Sequence, residues 1–205
     1  MRCLAYHPAA IPNSLFTTTT AYFPPTAWFL RALQAGRWQW EAHENYQKGG
    51  WRNRCRITTA NGPLLLSLPL QGGKHQQMPV REVMISHTTD WQRQHEQAIR
   101  SAYGRAPYFE FYAEDLFQVT RAPAERLYAY NWQIASTIIQ LLQLPVELTE
   151  TEHFGGASAG KMKIATGTPP YPQAFSDRYG FVDDLSILDA LFCVGPELTT
   201  LLHQR

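Results

Sequence analysis

The spacing of apolar and polar positions at the start of the chain predicts a strand, a helix and a second strand. Residues 15–23 (LFTTTTAYF) are β-branched and aromatic, which indicates a strand, and two prolines end it. Residues 26–36 (TAWFLRALQAG) have helical spacing and end at Gly36. Residues 37–43 (RWQWEAH) alternate again. We therefore expect a βαβ unit, and such units bind ligands at the carboxyl ends of their strands.

The next part of the chain predicts a hairpin and a further strand. Residues 51–60 (WRNRCRITTA) alternate and lead into Asn61-Gly62, the strongest short hairpin signal. The apolar residues 63–70 (PLLLSLPL) follow, and we expect them to form the buried partner strand. Residues 80–86 (VREVMIS) alternate as well and predict one more strand.

From residue 90 the spacing becomes helical. Residues 90–119 predict helices with a break at 104–107, and residues 122–144 predict a long amphipathic helix. Residues 149–170 are small, polar and glycine-rich, which predicts a mobile loop, and the tail predicts short helices. The expected fold class is α/β, with an N-terminal βαβ unit and hairpin strands in a mixed sheet and a mostly helical C-terminal half. We expect a loose lead-in over residues 1–14 and a single domain over residues 15–205.

Composition narrows the classes of function. The chain has 205 residues, of which 44% are hydrophobic, so it can bury a core, and its formal charge of +1 argues against a general nucleic-acid binder. No window holds the ~18 consecutive apolar residues of a membrane span. The three cysteines are far apart and odd in number, which is typical of a reducing compartment. We expect a cytoplasmic protein.

The densest polar stretch covers residues 43–57 (HENYQKGGWRNRCRI), where the predicted βαβ unit ends. Alternation places Arg52, Arg54 and Arg56 on one strand face. Burying an unpaired charge costs several kcal/mol, so that face meets either solvent or anions. Guanidinium groups bind phosphate and carboxylate in a bidentate way, which makes an anionic ligand one interpretation and a solvated strand face the other.

The polar stretch contains candidate groups for acid/base, cysteine and metal chemistry, and the pattern favours only the first. His43 and Glu44 form a candidate acid/base pair, because histidine titrates near neutral pH. Cys55 has basic neighbours in sequence, but alternation turns it toward the Ile57 face, which argues against a nucleophile. We expect no metal site, because the histidine spacing fits no ligand set. The histidines concerned are His43, His75, His87 and His95.

Residues 91–109 (WQRQHEQAIRSAYGRAPYF) are unusually rich in rings and cations. Trp91 and His95 share a helical stripe, with Tyr103 close to it, and Arg100 is one of three added cations. Core packing and a pocket wall are equally open interpretations of this stripe. The phosphate-loop, dinucleotide-binding and hydrolase-elbow motifs are absent from the sequence.

Four segments, in the same order, resemble the WbqC-like protein family over residues 15–200. They are YFPPTAWFLRAL; HENYQKGGWRNRCRI with NGPLLLSLPL; VREVMISHTTDWQRQHEQAIRSAYGRAPYFEFY; and YPQAFSDRYGFVDDLSILDALFCVGPE. The resemblance implies a role in bacterial O-antigen and related surface-glycan biosynthesis, with transfer of glycine or another amino acid onto a sugar. Many relatives carry an aspartate-rich DDVQ-type turn where this chain has HENY, which leaves the shared mechanism in question at His43 and Glu44.

The expected function is therefore transfer of an aminoacyl or acyl group from an activated amino acid donor to a sugar or sugar-nucleotide acceptor. His43 or Glu44 would take the proton, cations would hold a phosphate or carboxylate, and asparagines would orient the acceptor. The predicted substrate-binding residues are Asn45, Tyr46, Lys48, Arg52, Asn53, Arg54, Trp91, His95, Arg100 and Tyr103. The sequence names no cofactor. Two alternatives stay open: a nucleotidyl-transferring activating enzyme, and a non-catalytic binding or scaffold protein of glycan assembly.

Overall fold

A computed structural model describes residues 14–72, 78–155 and 168–203, and it begins with the predicted βαβ unit. Strand β1 (Ser14–Thr18) leads through helix α1 (Thr26–Ala35) to strand β2 (Gly36–Trp40), and the two strands pair in parallel. Gly36 ends the helix with a φ of 77°, a left-handed conformation that glycine adopts without strain. The βαβ prediction is confirmed. Of the expected lead-in, residues 1–13 lie outside the described residues.

A strand that the sequence did not reveal completes this sheet. Strand β5 (Glu147–Glu150) pairs in parallel with β2, so the strand order is β1-β2-β5. One sheet face turns inward with Trp38 and Trp40, both fully buried, and the other carries Gln39. The predicted loop over residues 149–170 thus begins inside a strand, and its residues 156–167 lie outside the described part of the chain.

The predicted hairpin forms a second, separate sheet. Strands β3 (Arg54–Thr59) and β4 (Gly62–Ser67) pair antiparallel around the Asn61-Gly62 turn, where Gly62 has a φ of 105°. The expectation that the apolar partner strand is buried is wrong for Leu64 and Leu65, which are 39% and 44% exposed. Consecutive strand residues point to opposite faces, so part of each face of β4 is left uncovered here.

The predicted strand over residues 80–86 is wrong. Val80–Glu82 is a 3-10 turn, followed by isolated bridges from Met84 and Ile85 to two different segments. The backbone of this segment bonds to the start of a helix much later in the chain, Leu127–Leu141, whose first amide donates to the Val83 carbonyl at 2.9 Å. A segment that has no continuous neighbour cannot build a ladder, whatever its alternation.

The remaining helices follow the predicted order. They are α2 (Trp91–Tyr103), α3 (Phe109–Arg121), α4 (Leu127–Leu141), α5 (Ser176–Tyr179) and α6 (Ile187–Cys193), with a 3-10 segment at Gly195–His203. The predicted break between α2 and α3 is confirmed. Ser186 caps α6 by accepting a hydrogen bond from the Leu188 amide. These helices complete the α/β fold class, and among the described residues no helix is both long and apolar enough to span a membrane.

Aromatic rings fill the space between the parallel sheet and the helices. Trp38 packs edge-on against Phe29 of α1 and against Trp40, and Trp40 packs against Tyr128 and Trp132 of α4. Rings of this size bury 150–250 Å² each, so they account for much of the core. This packing fixes the sheet against α1 and α4, and with it the position of the carboxyl ends of the strands relative to these helices.

Candidate functional site

A cleft of about 490 Å³ runs along strand β2 and past the carboxyl end of strand β5, and we call it the strand-end cleft. It is lined by Arg37 and Gln39 of β2, by Thr149, Glu150 and Thr151, and by Glu152, His153 and Gly155. Parallel strands present their carboxyl ends to one edge, which is where α/β proteins usually bind ligands. The cleft reaches that edge at β5, the strand that pairs with β2 of the βαβ unit.

Glu41 connects this cleft to the polar stretch. Its Oε1 accepts hydrogen bonds from the His43 amide and the Thr151 hydroxyl, both at 2.8 Å, and its Oε2 accepts from the Gly155 amide at 2.8 Å. Burial alone would raise the pKa of Glu41, but these hydrogen bonds outweigh it and lower the pKa. A charged Glu41 thus fastens the start of the polar stretch to two residues of the cleft wall.

Glu44 and Arg52 form a buried ion pair. The Nε of Arg52 lies 2.9 Å from Oε1 of Glu44, and its Nη2 lies 2.5 Å from Oε2. Both side chains are at most 5% exposed. Burial raises the pKa of Glu44, and the guanidinium of Arg52 opposes that rise. The anion that Arg52 meets is therefore internal, and of the two predicted acid/base residues only His43 is exposed.

A buried asparagine carries this arrangement into the helical half. The amide nitrogen of Asn131, in α4, donates to the Arg52 carbonyl at 2.7 Å and to the Thr20 hydroxyl at 3.1 Å. Thr20 follows β1 directly and is fully buried. The polar stretch, the end of β1 and α4 are thereby held together by one side chain.

Two of the predicted substrate-binding residues, Tyr46 and Asn53, support the polar stretch from within. The buried hydroxyl of Tyr46 donates to Oδ1 of Asn53, and Nδ2 of Asn53 donates to the Leu68 carbonyl, both at 3.0 Å. Both ends of the Asn53 amide are thus engaged. Asn45 has an exposed side chain, while its backbone forms an isolated bridge with Pro79.

The predicted cations have different surroundings. Lys48 is exposed and Arg54 is half-buried. The Nε of Arg54 is buried and has no hydrogen-bond acceptor among the described residues. Other buried polar atoms of the described residues share this property, among them Nε1 of Trp28 and of Trp40, so it does not by itself indicate a ligand.

The aromatic stripe of α2 lies in the core and does not join the strand-end cleft. Trp91, His95 and Tyr103 are buried, and the Tyr22 hydroxyl lies 2.9 Å from Nδ1 of His95. Burial lowers the pKa of His95 to about 4, and the Ser67 backbone partly opposes this change. The exposed Arg100 pairs with Glu96, one turn earlier on the helix, at 2.9 Å.

Two further expectations concern cysteine and metal chemistry. Cys55 is fully buried on the inward face of β3, and burial raises the pKa of its thiol well above the ordinary value. In the described ranges, no three His, Cys, Asp or Glu side chains are grouped as metal ligands. His75 lies outside those ranges.

Sequence reasoning missed several residues at the strand-end cleft. Glu41, Thr151 and His153 were not singled out, because β5 was hidden beside a glycine-rich segment. In the sequence RWQWEAH, alternation puts Glu41 on the same strand face as Arg37 and Gln39. In the structure, strand β2 ends before Glu41, and the Glu41 side chain is buried. The usable signal was its position just after a predicted strand of a βαβ unit.

Comparison with known proteins gives a family. The model of the WbqC-like protein family matches residues 20–167. The uncharacterized protein Rv1507c of Mycobacterium tuberculosis strain H37Rv is 38% identical, over an alignment that covers 74% of this chain and 81% of that protein. No solved structure matches. The family match covers more than half of the chain and includes the polar stretch, the hairpin and helices α1 to α4. The chain belongs to the WbqC-like protein family.

Proposed function

We propose that this protein is a transferase of bacterial surface-glycan biosynthesis of the O-antigen type. It transfers an aminoacyl group, glycyl among others, or a related acyl group from an activated donor to a sugar or sugar nucleotide. The observation that carries the proposal is the exposed His43, whose backbone amide donates to Glu41, the carboxylate that also accepts from Thr151 and Gly155 of the cleft wall. Family membership supports the choice of substrate class.

The proposed chemistry needs one proton acceptor. A hydroxyl or amino group of the sugar attacks the acyl carbon, a new C–O or C–N bond forms, and the bond from that carbon to its leaving group breaks. The imidazole of His43 takes the proton from the attacking group and returns it to the leaving group. Glu44 keeps the same stretch in place through Arg52, so its role in this scheme is positioning.

The anionic parts of the substrates need cations. Lys48 is exposed and Arg54 is half-buried, and we assign both to a phosphate or carboxylate of the substrates. Arg37, about half exposed, adds a cation to the cleft wall, although Glu147 shares it at 3.1 Å. Asn45 has a free side-chain position from which to orient the acceptor.

A cytoplasmic location is part of the proposal. Cys55 and Cys193 are free thiols, and activated amino acid donors and sugar nucleotides are made in a reducing compartment.

The test is a transfer assay on the full chain with glycyl adenylate, glycyl thioester or glycyl-tRNA as donor and a set of amino-sugar nucleotides as acceptors. Mass spectrometry would detect an acceptor that has gained one glycyl residue. We expect His43→Gln to lower kcat by about 10²–10⁴-fold. His87→Gln changes an exposed histidine that does not line the strand-end cleft; it is the matched control and should retain most of the activity.

Other outcomes would replace the proposal. Pyrophosphate release from a nucleoside triphosphate with Mg²⁺, without acyl transfer, would assign a nucleotidyl-transferring enzyme. A stable protein partner from the glycan assembly machinery, with no product from any donor, would assign a scaffold. Equal loss of activity in His43→Gln and His87→Gln would remove His43 as the base.

A further inference from the structure

A second cleft, of about 560 Å³, lies between the end of α2, the end of α6 and residues 172–175. We call it the α2–α6 cleft. Its walls are mainly small or apolar: Ala102, Ala106, Pro107, Pro172, Phe175 and Cys193. It shares no lining residue with the strand-end cleft. Small-molecule sites are typically of this size and of this mixed character, mostly apolar with a few polar groups.

The charge at this cleft is positive. Arg100 and Arg105 both line it, and Arg100 is already paired with Glu96 and Glu114. Arg105 is exposed and has no ion pair or hydrogen bond among the described residues. The Ser101 hydroxyl, one helical turn before Arg105, is also exposed on the wall. An unpaired guanidinium beside an apolar wall is complementary to an anion with an apolar body.

The wall opposite α2 is held in a strained form. Phe175 has a φ of 62°, a left-handed conformation that bulky residues rarely adopt and that costs about 1–3 kcal/mol. Its carbonyl accepts hydrogen bonds from the amides of Arg178 and Tyr179, both at 3.0 Å. The same two residues fasten the wall to the hairpin, because their side chains donate to the Ala60 carbonyl at 2.6 and 2.7 Å. The α2–α6 cleft is therefore preformed, which lowers the entropy cost of binding.

We propose that the α2–α6 cleft binds a small molecule with a flat apolar body and a single carboxylate or phosphate group, and that Arg105 holds this anionic group. The apolar body lies against Ala106, Pro172 and Phe175. The proposal concerns a site separate from the proposed transferase centre, and it stands or falls without any donor or acceptor substrate.

The experiment is calorimetric titration of the full chain with matched probes. The probes are 2-naphthoate, 1-naphthyl phosphate and the neutral analogue 2-naphthamide. We expect the anions to bind about fivefold more tightly than the amide, which is the size of an exposed ion pair, and this difference to shrink at high salt. A stronger gain with the phosphate than with the carboxylate would identify the kind of anion.

Three variants separate the charge from the apolar wall. Arg105→Gln should lower the affinity for both anions to that for the amide, and it should leave the affinity for the amide unchanged. Arg93→Gln removes the same charge from the exposed surface of α2, the helix that precedes Arg105, at a position outside the cleft, and should change nothing. Ala106→Phe fills the cleft and should weaken all three probes, with its melting temperature confirming that it folds.

Three results would overturn the proposal. The first is the absence of binding by all three probes. The second is an equal response of Arg105→Gln and Arg93→Gln, and the third is equal affinity for the acid and the amide. Either of these last two would show that no cation of this cleft recognises the charge.

Discussion

Arg52 and Glu44 face each other in a bidentate pair, 2.9 Å from Nε to Oε1 and 2.5 Å from Nη2 to Oε2, inside a stretch whose cations were expected to face outward. The pair spans eight residues of the chain, and the Arg52 carbonyl accepts from Asn131 of α4. It therefore determines the path of the polar stretch from the end of β2 to the start of β3. This path places His43 and Lys48 on the surface.

The first prediction concerns this ion pair. We expect Arg52→Met to lower the free energy of unfolding by about 3–5 kcal/mol, because it leaves the buried Glu44 carboxylate without its counter-charge. Urea unfolding measures the change. Arg37→Met is the matched control: Arg37 and its partner Glu147 are 48% and 64% exposed, and such pairs contribute less than about 1 kcal/mol. Equal losses in the two variants would contradict a buried, unscreened pair.

The second prediction concerns Glu41. Glu41→Gln replaces one acceptor oxygen by a donor, so at least one of the His43, Thr151 and Gly155 donors loses its partner. We expect a loss of about 1–3 kcal/mol and faster hydrogen exchange of the Gly155 amide. Glu152→Gln changes an exposed carboxylate in the same segment and serves as the control. Unchanged exchange at Gly155 in Glu41→Gln would show that Glu41 does not hold this segment.

The third prediction concerns Asp189, which is fully buried on α6. Among the described residues, no donor reaches either of its carboxylate oxygens with regular hydrogen-bond geometry. Burial raises the pKa of Asp189 to about 7. The neighbouring Tyr171 and Tyr103 hydroxyls and the Ala174 amide act in the opposite direction and lower it, but burial is the larger effect. The folded state therefore holds a proton that the unfolded state releases above its ordinary pKa near 4. The stability from this group is complete below that value and is lost as the pH rises through about 7.

Asp189→Asn tests this sign. The variant should be more stable than the natural protein at pH 8 and should lack its decline between pH 4 and pH 8, which we expect to be up to roughly 4 kcal/mol. Thermal unfolding of both proteins across that range measures the difference. A natural protein that gains stability relative to the variant as the pH rises would contradict a raised pKa.

The fourth prediction has the opposite sign. The buried His95 has a pKa lowered to about 4, so between that value and the ordinary 6.5 the unfolded state binds the proton and the folded state does not. Its contribution is complete above pH 6.5 and is lost as the pH falls toward 4. We expect His95→Gln, which retains a polar partner for Tyr22, to remove up to about 3 kcal/mol of this acid sensitivity. Nuclear magnetic resonance should show the His95 imidazole neutral at pH 5.5; a charged ring there would contradict the prediction.

The local parts of the fold could be predicted from the sequence. The βαβ unit, the Asn61-Gly62 hairpin and the break at Gly104 each depend on neighbouring residues, whose backbone preferences act within one turn or one strand. β5 and residues 80–86 depend on distant partners. The ELTE sequence of β5 is a strand because β2 offers a free edge, and VREVMIS is not one because no neighbour runs along it.

In the site, too, local sequence patterns identified some residues, while the surroundings of other side chains depend on distant parts of the chain. The polar stretch was found because its composition is unusual, and Arg52 was grouped with Arg54 and Arg56 by alternation. Strand β3 begins only at Arg54, so Arg52 lies before the strand and turns inward to Glu44. Asp189 stands in the first turn of α6, where an acidic side chain commonly faces solvent, yet Ser186 caps this helix and the Asp189 side chain lies in the core. Burial of a polar side chain is a property of the assembled fold and leaves little trace in local sequence.

The late position of β5 in the chain has a consequence for synthesis. Glu41 and its partner Thr151 are 110 residues apart, and the strands that they follow pair across the same interval. A ribosome that adds about 5–20 residues per second needs on the order of 5–20 seconds to cover that interval. During that time one edge of β2 has no neighbour, and an unpaired edge can join a strand of another nascent chain. Aggregation during expression should therefore depend on elongation speed and on the chaperones that cover this edge, rather than on the stability of the finished protein.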